Sequence, residues 1–158
     1  MATLRQAADE FLARKRIAVA GVSRTDSGHG ANVVYKGLRK AGYEVFAVNP
    51  NAEEIDGDPC FHDLKAIPGG VDAVVVATAP QDSARVVRDC TELHIQHVWL
   101  HRSFGGGSVS DEAADLGRRS GITVIAGACP MMFLPRADVG HRCMRWLLGL
   151  TGGLPKEA

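Results

Sequence analysis

Ile17-Ala18-Val19-Ala20-Gly21-Val22-Ser23-Arg24 decides the fold of this chain. An apolar run without polar alternation, ended by glycine, suits a strand covered on both faces. Thr25-Asp26-Ser27-Gly28-His29-Gly30 follows as a loop, and Ala31, Val34, Leu38 and Ala41 then recur at helical spacing up to a stop at Gly42. A buried strand, a glycine-bearing loop and a helix form the first half of a βαβ unit.

The same alternation extends outward in both directions. Upstream, Thr3-Leu4-Arg5-Gln6 is a capping box, and Leu4, Ala7, Ala8, Phe11 and Leu12 predict an amphipathic helix over residues 3–14. Downstream, Val45 to Val48 is a second strand closed by Asn49-Pro50, and Val71 to Ala77 is a third. Pro80 opens a helix through Leu93, and Val98-Trp99-Leu100 is a fourth strand. Ser110 caps a helix ending near Gly121, Ile122 to Ala126 is a fifth strand, and a last helix spans Asp138 to Leu148. Strands alternating with helices imply right-handed crossovers and a parallel sheet. The expectation is an α/β, Rossmann-like, three-layer αβα domain over residues 1–158, with five parallel strands in the order 3-2-1-4-5. Its crevice should lie beyond the carboxyl ends of the first and fourth strands.

Composition narrows the function. At 158 residues the chain suffices for one domain, which at this size buries roughly 70% of the surface of the unfolded chain. Hydrophobic residues make up 46% and charged residues 23%, which excludes a disordered chain. Eighteen basic residues balance eighteen acidic ones, which argues against a nucleic-acid partner or an anionic membrane surface. The most apolar stretch, Ile122 to Pro135, is too short to span a bilayer, and Asp9 and Glu10 interrupt any signal peptide. Cys60, Cys90, Cys129 and Cys143 have no C-x-x-C spacing, so reduced thiols in a cytoplasmic protein are expected.

The loop after the first strand is where such a fold holds a phosphate, against backbone N–H groups and a helix N-terminus. Gly21 would let the backbone approach a ligand, Ser23 offers a hydroxyl, Arg24 offers a guanidinium fork, and Gly28 and Gly30 permit positive φ. The dinucleotide fingerprint G-x-G-x-x-G is absent, and Asn49 stands where an NAD site needs a carboxylate. An amide there tolerates a ribose 3′-phosphate, which a carboxylate would repel. Gly21 to Thr25 also fails as a nucleophile elbow, because Thr25 replaces the second glycine. His97 and His101 share a strand face but stand about 13 Å apart, too far for one metal ion, and read with His94 as surface and strand-end histidines. His141 and Cys143 are two apart on a helix and cannot chelate together, and Asp56-Gly57-Asp58 reads as a turn. No metal site is expected.

Ile17 to Arg24, Gly42-Tyr43-Glu44-Val45, Val48-Asn49-Pro50, Val71-Asp72, Val98-Trp99-Leu100 and Cys129-Pro130 together resemble the stand-alone CoA-binding proteins. That family is a single Rossmann-like domain similar to the amino-terminal domain of the succinyl-CoA synthetase α subunit. The resemblance spans about residues 10–135. It implies that Gly21, Val22, Ser23 and Arg24, with Gly28 in the same loop, hold the pyrophosphate of coenzyme A. It implies too that Val48, Asn49 and Pro50 line the adenosine end, and that Thr78, Ala79 and Pro80 flank the adenine or the pantetheine arm. Lys36, Arg39 or Lys40 would neutralise the 3′-phosphate. The chain departs from the family at three strand tips: Ala77-Thr78-Ala79-Pro80 lacks an aromatic and an arginine, His101-Arg102-Ser103 replaces Gln-x-Gly, and Gly127-Ala128 replaces Asp-Arg.

The resulting expectation is a module that binds coenzyme A or an acyl-CoA and carries no catalytic residues. The alternatives are an NAD(P)-dependent oxidoreductase domain and a thiol-redox protein acting through Cys129, whose thiol would exchange with that of the coenzyme. The apolar Met131-Met132-Phe133-Leu134 and Trp146-Leu147-Leu148 segments allow a homodimer or a partner subunit.

Overall fold

A computed structural model describes residues 2–26, 29–102, 107–156 and 158. Its strands are β1 (Arg16–Ala20), β2 (Glu44–Val48), β3 (Glu54–Ile55), β4 (Asp58–Phe61), β5 (Ala73–Val76), β6 (His97–Leu100) and β7 (Thr123–Ala126). Its helices are α1 (Leu4–Leu12), α2 (Gly30–Lys40), α3 (Pro80–Glu92), α4 (Asp111–Arg119) and α5 (Val139–Thr151). The local signals act where the sequence places them. Thr3 and Gln6 form the capping box of α1, Ser110 caps α4 through the Ala113 N–H, Asp138 caps α5, and Pro80 opens α3.

Two clusters of buried side chains sandwich the sheet. Ile17, Val19, Val75, Trp99 and Ile125 meet α1, α2 and the 128–133 segment on one face. Ala18, Ala20, Val74, Val76, Val98, Leu100 and Val124 meet α3 and α4 on the other. Burial on both faces is why these strands show no polar alternation. Trp99 anchors the first cluster: its indole N–H donates to the Gly127 carbonyl at 2.8 Å, and its ring meets Phe11 edge-on at 5.3 Å.

The topology corrects the sequence expectation. The sheet has seven strands, not five, in the order β3-β4-β2-β1-β5-β6-β7, and the expected order 3-2-1-4-5 does not hold. The third predicted strand, now β5, pairs with β1 and not with β2 (Ile17 opposite Ala73, Ala20 opposite Val76). The place beyond β2 is taken by β4, parallel to β2 at Ala47–Cys60 and Val48–Phe61, and β3 folds back antiparallel on β4. Asp56 and Gly57, both at positive φ, make the two-residue turn of that hairpin. With the outer edge of β2 filled, the chain returns past β1 through a single 3-10 turn at Leu64–Ala66. The switch point therefore lies between β1 and β5, one strand away from where residues 98–100 would have put it.

Candidate functional site

The tips of β2, β1, β5 and β6 end side by side: Gly21 N–H bonds Val48 O, Ala77 N–H bonds Ala20 O, and His101 N–H bonds Val76 O. Beyond them lie two adjoining hollows of about 470 and 360 Å³ that share His29, Ala77, Thr78 and Ala79. The larger reaches outward past Asn49, Pro50, His62 and Arg85, and the smaller runs to His101 and Ser108.

Of the residues expected from sequence, Gly21, Val48, Asn49, Pro50, Thr78 and Ala79 line this crevice. Pro80 follows directly as the first residue of α3. Gly28 lies outside the described residues. Val22 does not face the crevice, because its side chain is fully buried in the core. Ser23 and Arg24 form the loop beside the hollows without lining either one. Ser23 Oγ accepts from the N–H groups of Thr25 and Asp26, folding the loop on itself, and the Arg24 guanidinium donates to Asn51 O at 2.9 Å.

Two amides set the loop. Asn32, almost fully buried on α2, accepts from Ser23 N–H and donates to Ser23 O, each at 2.7 Å. Asn49 donates to Val22 O at 2.7 Å and accepts from Asn51 N–H at 2.8 Å. Asn49 is thus a brace between β2 and the loop as well as part of the crevice wall. Gly21 is a close-approach glycine of another kind: at φ +99, a Cβ would stand 2.5 Å from Ala77 O. The neighbouring strand tip, rather than a ligand, excludes a side chain there.

Charge is unevenly spread. Lys36 and Arg39 pair with Asp56 and Asp58, and Lys40 lines a different hollow, so none of the three faces the crevice as the 3′-phosphate reading required. Arg85 stands in the outer hollow with Asp63, Asp82 and Asp89, and burial pushes the Asp89 carboxyl up. The loop side, with the Arg24 guanidinium and the first turn of α2, is the end of the site that favours an anion. His29 Nδ1 caps that turn by accepting from Ala31 N–H at 3.3 Å.

His101 is neither surface nor ordinary. Its side chain is buried beside Gly30, with ring Cε1 3.0 Å from where a Gly30 Cβ would stand. Burial, then the nearby His29 and His141, take its pKa down to about 4, so the ring is neutral at pH 7. Cys129 is equally unlike its expectation. It is buried, and burial pushes its thiol up to about 12, which removes the thiolate that exchange requires. Cys143, on α5, is the exposed thiol. Sequence reasoning missed Asn32, His29 and Arg85. Only Asn32 left a trace, as an amide among the apolar positions of α2.

Among the described residues, no group of three or more His, Cys, Asp or Glu side chains could hold a metal ion. No helix among them is long and apolar enough to cross a membrane.

A mostly parallel sheet with helices on both faces and a glycine-bearing loop at its switch point defines a Rossmann-like α/β fold. The model of the CoA binding domain family matches residues 15–135, and the chain belongs to that family. It is 34% identical over 122 residues to the uncharacterized protein YneT of Bacillus subtilis, covering 76% of this chain and 86% of YneT. It is 26% identical over 121 residues to an ADP-forming acetate–CoA ligase of Archaeoglobus fulgidus, covering 73% of this chain but 18% of the ligase. A solved structure of a hypothetical protein from Pyrococcus horikoshii superposes with a TM-score of 0.75 at 27% identity, covering 84% of this chain and 91% of that one. The family matches the resemblance read from sequence and favours neither the nicotinamide nor the thiol-redox alternative.

Proposed function

We propose that this protein binds coenzyme A or an acyl-CoA at the carboxyl edge of its sheet and acts as a binding or regulatory module. The observation that carries the reading is the crevice itself. Its two adjoining hollows run across four strand tips, as an extended ligand with a nucleotide at one end and a flexible arm at the other would need. The adenosine end belongs in the outer hollow, where the Asp63, Asp82 and Asp89 carboxylates offer acceptors for an amine. The pyrophosphate belongs beside the Ser23–Arg24 loop and the start of α2. The arm then passes Thr78 and Ala79 toward His101 and Ser108. Four free cysteines accord with a cytoplasmic setting.

Titration calorimetry of ligand-stripped protein with coenzyme A, dephospho-coenzyme A and NAD tests the reading. Micromolar binding of coenzyme A is expected, and the dephospho form reports whether Arg85 in the outer hollow takes the 3′-phosphate. Arg24→Ala should weaken it roughly threefold to thirtyfold through loss of one charge-assisted contact. Tight NAD binding without coenzyme A binding would overturn the proposal.

A further inference from the structure

Helix α2 borders a third hollow, which reaches the amino ends of β1 and β2. Its outward stripe faces the 131–138 segment across a groove of about 690 Å³, closed at one end by Lys15 and Tyr43, which precede β1 and β2. The groove shares no lining residue with the crevice. Its walls are apolar: Val33, 41% exposed although it sits on a packed helix, stands across from Met131, Leu134 and Pro135. Gly37 lets the Met131 thioether pack directly on α2, because that side chain occupies the space a Cβ would fill.

The charges around that floor point to the occupant. Lys15, Lys40 and Arg136 line the groove and make no ion pair among the described residues, whereas Lys36 and Arg39 on the same helix are both paired. One carboxylate lines it, Asp138, and that group is already engaged. Its Oδ1 accepts from His141 N–H at 3.0 Å and its Oδ2 meets His141 Nδ1 at 2.6 Å. The ligand that matches is apolar along one side and anionic at one end. The exposed face of α5 from a second copy does not match, because that helix carries Arg142 and Arg145 and no acidic residue.

We propose that this groove binds an amphipathic organic anion of the medium-chain carboxylate class. The alkyl chain lies along Val33, Met131 and Leu134, and the carboxylate lies among Lys15, Lys40 and Arg136. The site is independent of the coenzyme A reading, and either can fail without the other.

The test is calorimetric titration of the full chain with dodecanoate, below its micellar concentration and at low ionic strength, with and without saturating coenzyme A. Dodecyltrimethylammonium is the cationic control. One dodecanoate per chain is expected, with unchanged affinity when coenzyme A is present and weaker binding as salt rises. Lys40→Glu and Arg136→Glu should each weaken it roughly fivefold, as reversal of one partly screened charge does. Val33→Trp should fill the groove and abolish binding. All three positions are at the surface, and thermal melts verify that each variant folds. Equal binding of the cationic control, indifference to both charge reversals, displacement by coenzyme A, or no saturable binding would each overturn the proposal.

Discussion

Acidification should destabilise this protein through His101 from a pH above the ordinary carboxylate range. The ring is 7% exposed, and its pKa in the folded chain is about 4, set by burial and by the neighbouring His29 and His141. An unfolded histidine titrates near ~6.5. Between those values the unfolded chain binds a proton that the folded chain refuses. Stability therefore falls as pH drops through ~6.5, keeps falling to about 4, and levels where the folded ring also titrates. The gap corresponds to ~3 kcal/mol at ~1.4 kcal/mol per pH unit, a large share of the roughly 5–15 kcal/mol that holds a domain. His97 acts with the same sign, since burial and then Arg14 lower its pKa. Asp138 and Glu92, held below the usual carboxylate range by hydrogen bonds from His141 and Lys65, lose their contributions only below about pH 4.5. The assay is urea unfolding followed by far-ultraviolet circular dichroism from pH 7.5 to 4.5, on the native chain and on His101→Gln. Glutamine stays neutral throughout, so the variant should lose most of the acid-induced fall. An unchanged slope in His101→Gln would refute the argument that the buried ring sets it.

Three further outcomes follow from the loop and the thiols. Gly21→Ala should destabilise the domain by roughly 2–4 kcal/mol, combining positive-φ strain with a Cβ forced against Ala77 O, and denaturant midpoints read it directly. Asn32→Ala should cost roughly 1–3 kcal/mol by leaving both backbone groups of Ser23 without partners. Coenzyme A affinity should fall in the same variant, which calorimetry alongside a thermal melt separates from simple unfolding. In the native chain one thiol, Cys143, should react rapidly with a disulfide reagent, and Cys60, Cys90 and Cys129 only on unfolding; fast labelling surviving in Cys143→Ser would contradict the burial of the other three.

The sequence by itself determined the elements that local physics controls. Burial on both faces is written into Ile17–Ala20 and Ala73–Val76 as unbroken apolar runs, and the ends of α1, α3, α4 and α5 follow from capping side chains and a proline a few residues away. The family resemblance, and the crevice positions Gly21, Asn49 and Thr78, were legible for the same reason. Each sits at the end of a strand that the pattern already marked. Strand order was not legible, because it turns on which edge of β2 is free. Asp58-Pro59-Cys60-Phe61 conceals β4, since proline and a four-residue length disguise a strand that is flanked on both sides. Its presence sends β5 to the far side of β1 and moves the switch point with it. Tertiary structure alone also decided the environments of three side chains. The His101 ring is neutral and the Cys129 thiol inert because the fold buries them, while Asn49 braces the loop because Val22 O comes within reach. Burial and partner are properties of the assembled neighbours, and a residue's own position in the chain does not encode them.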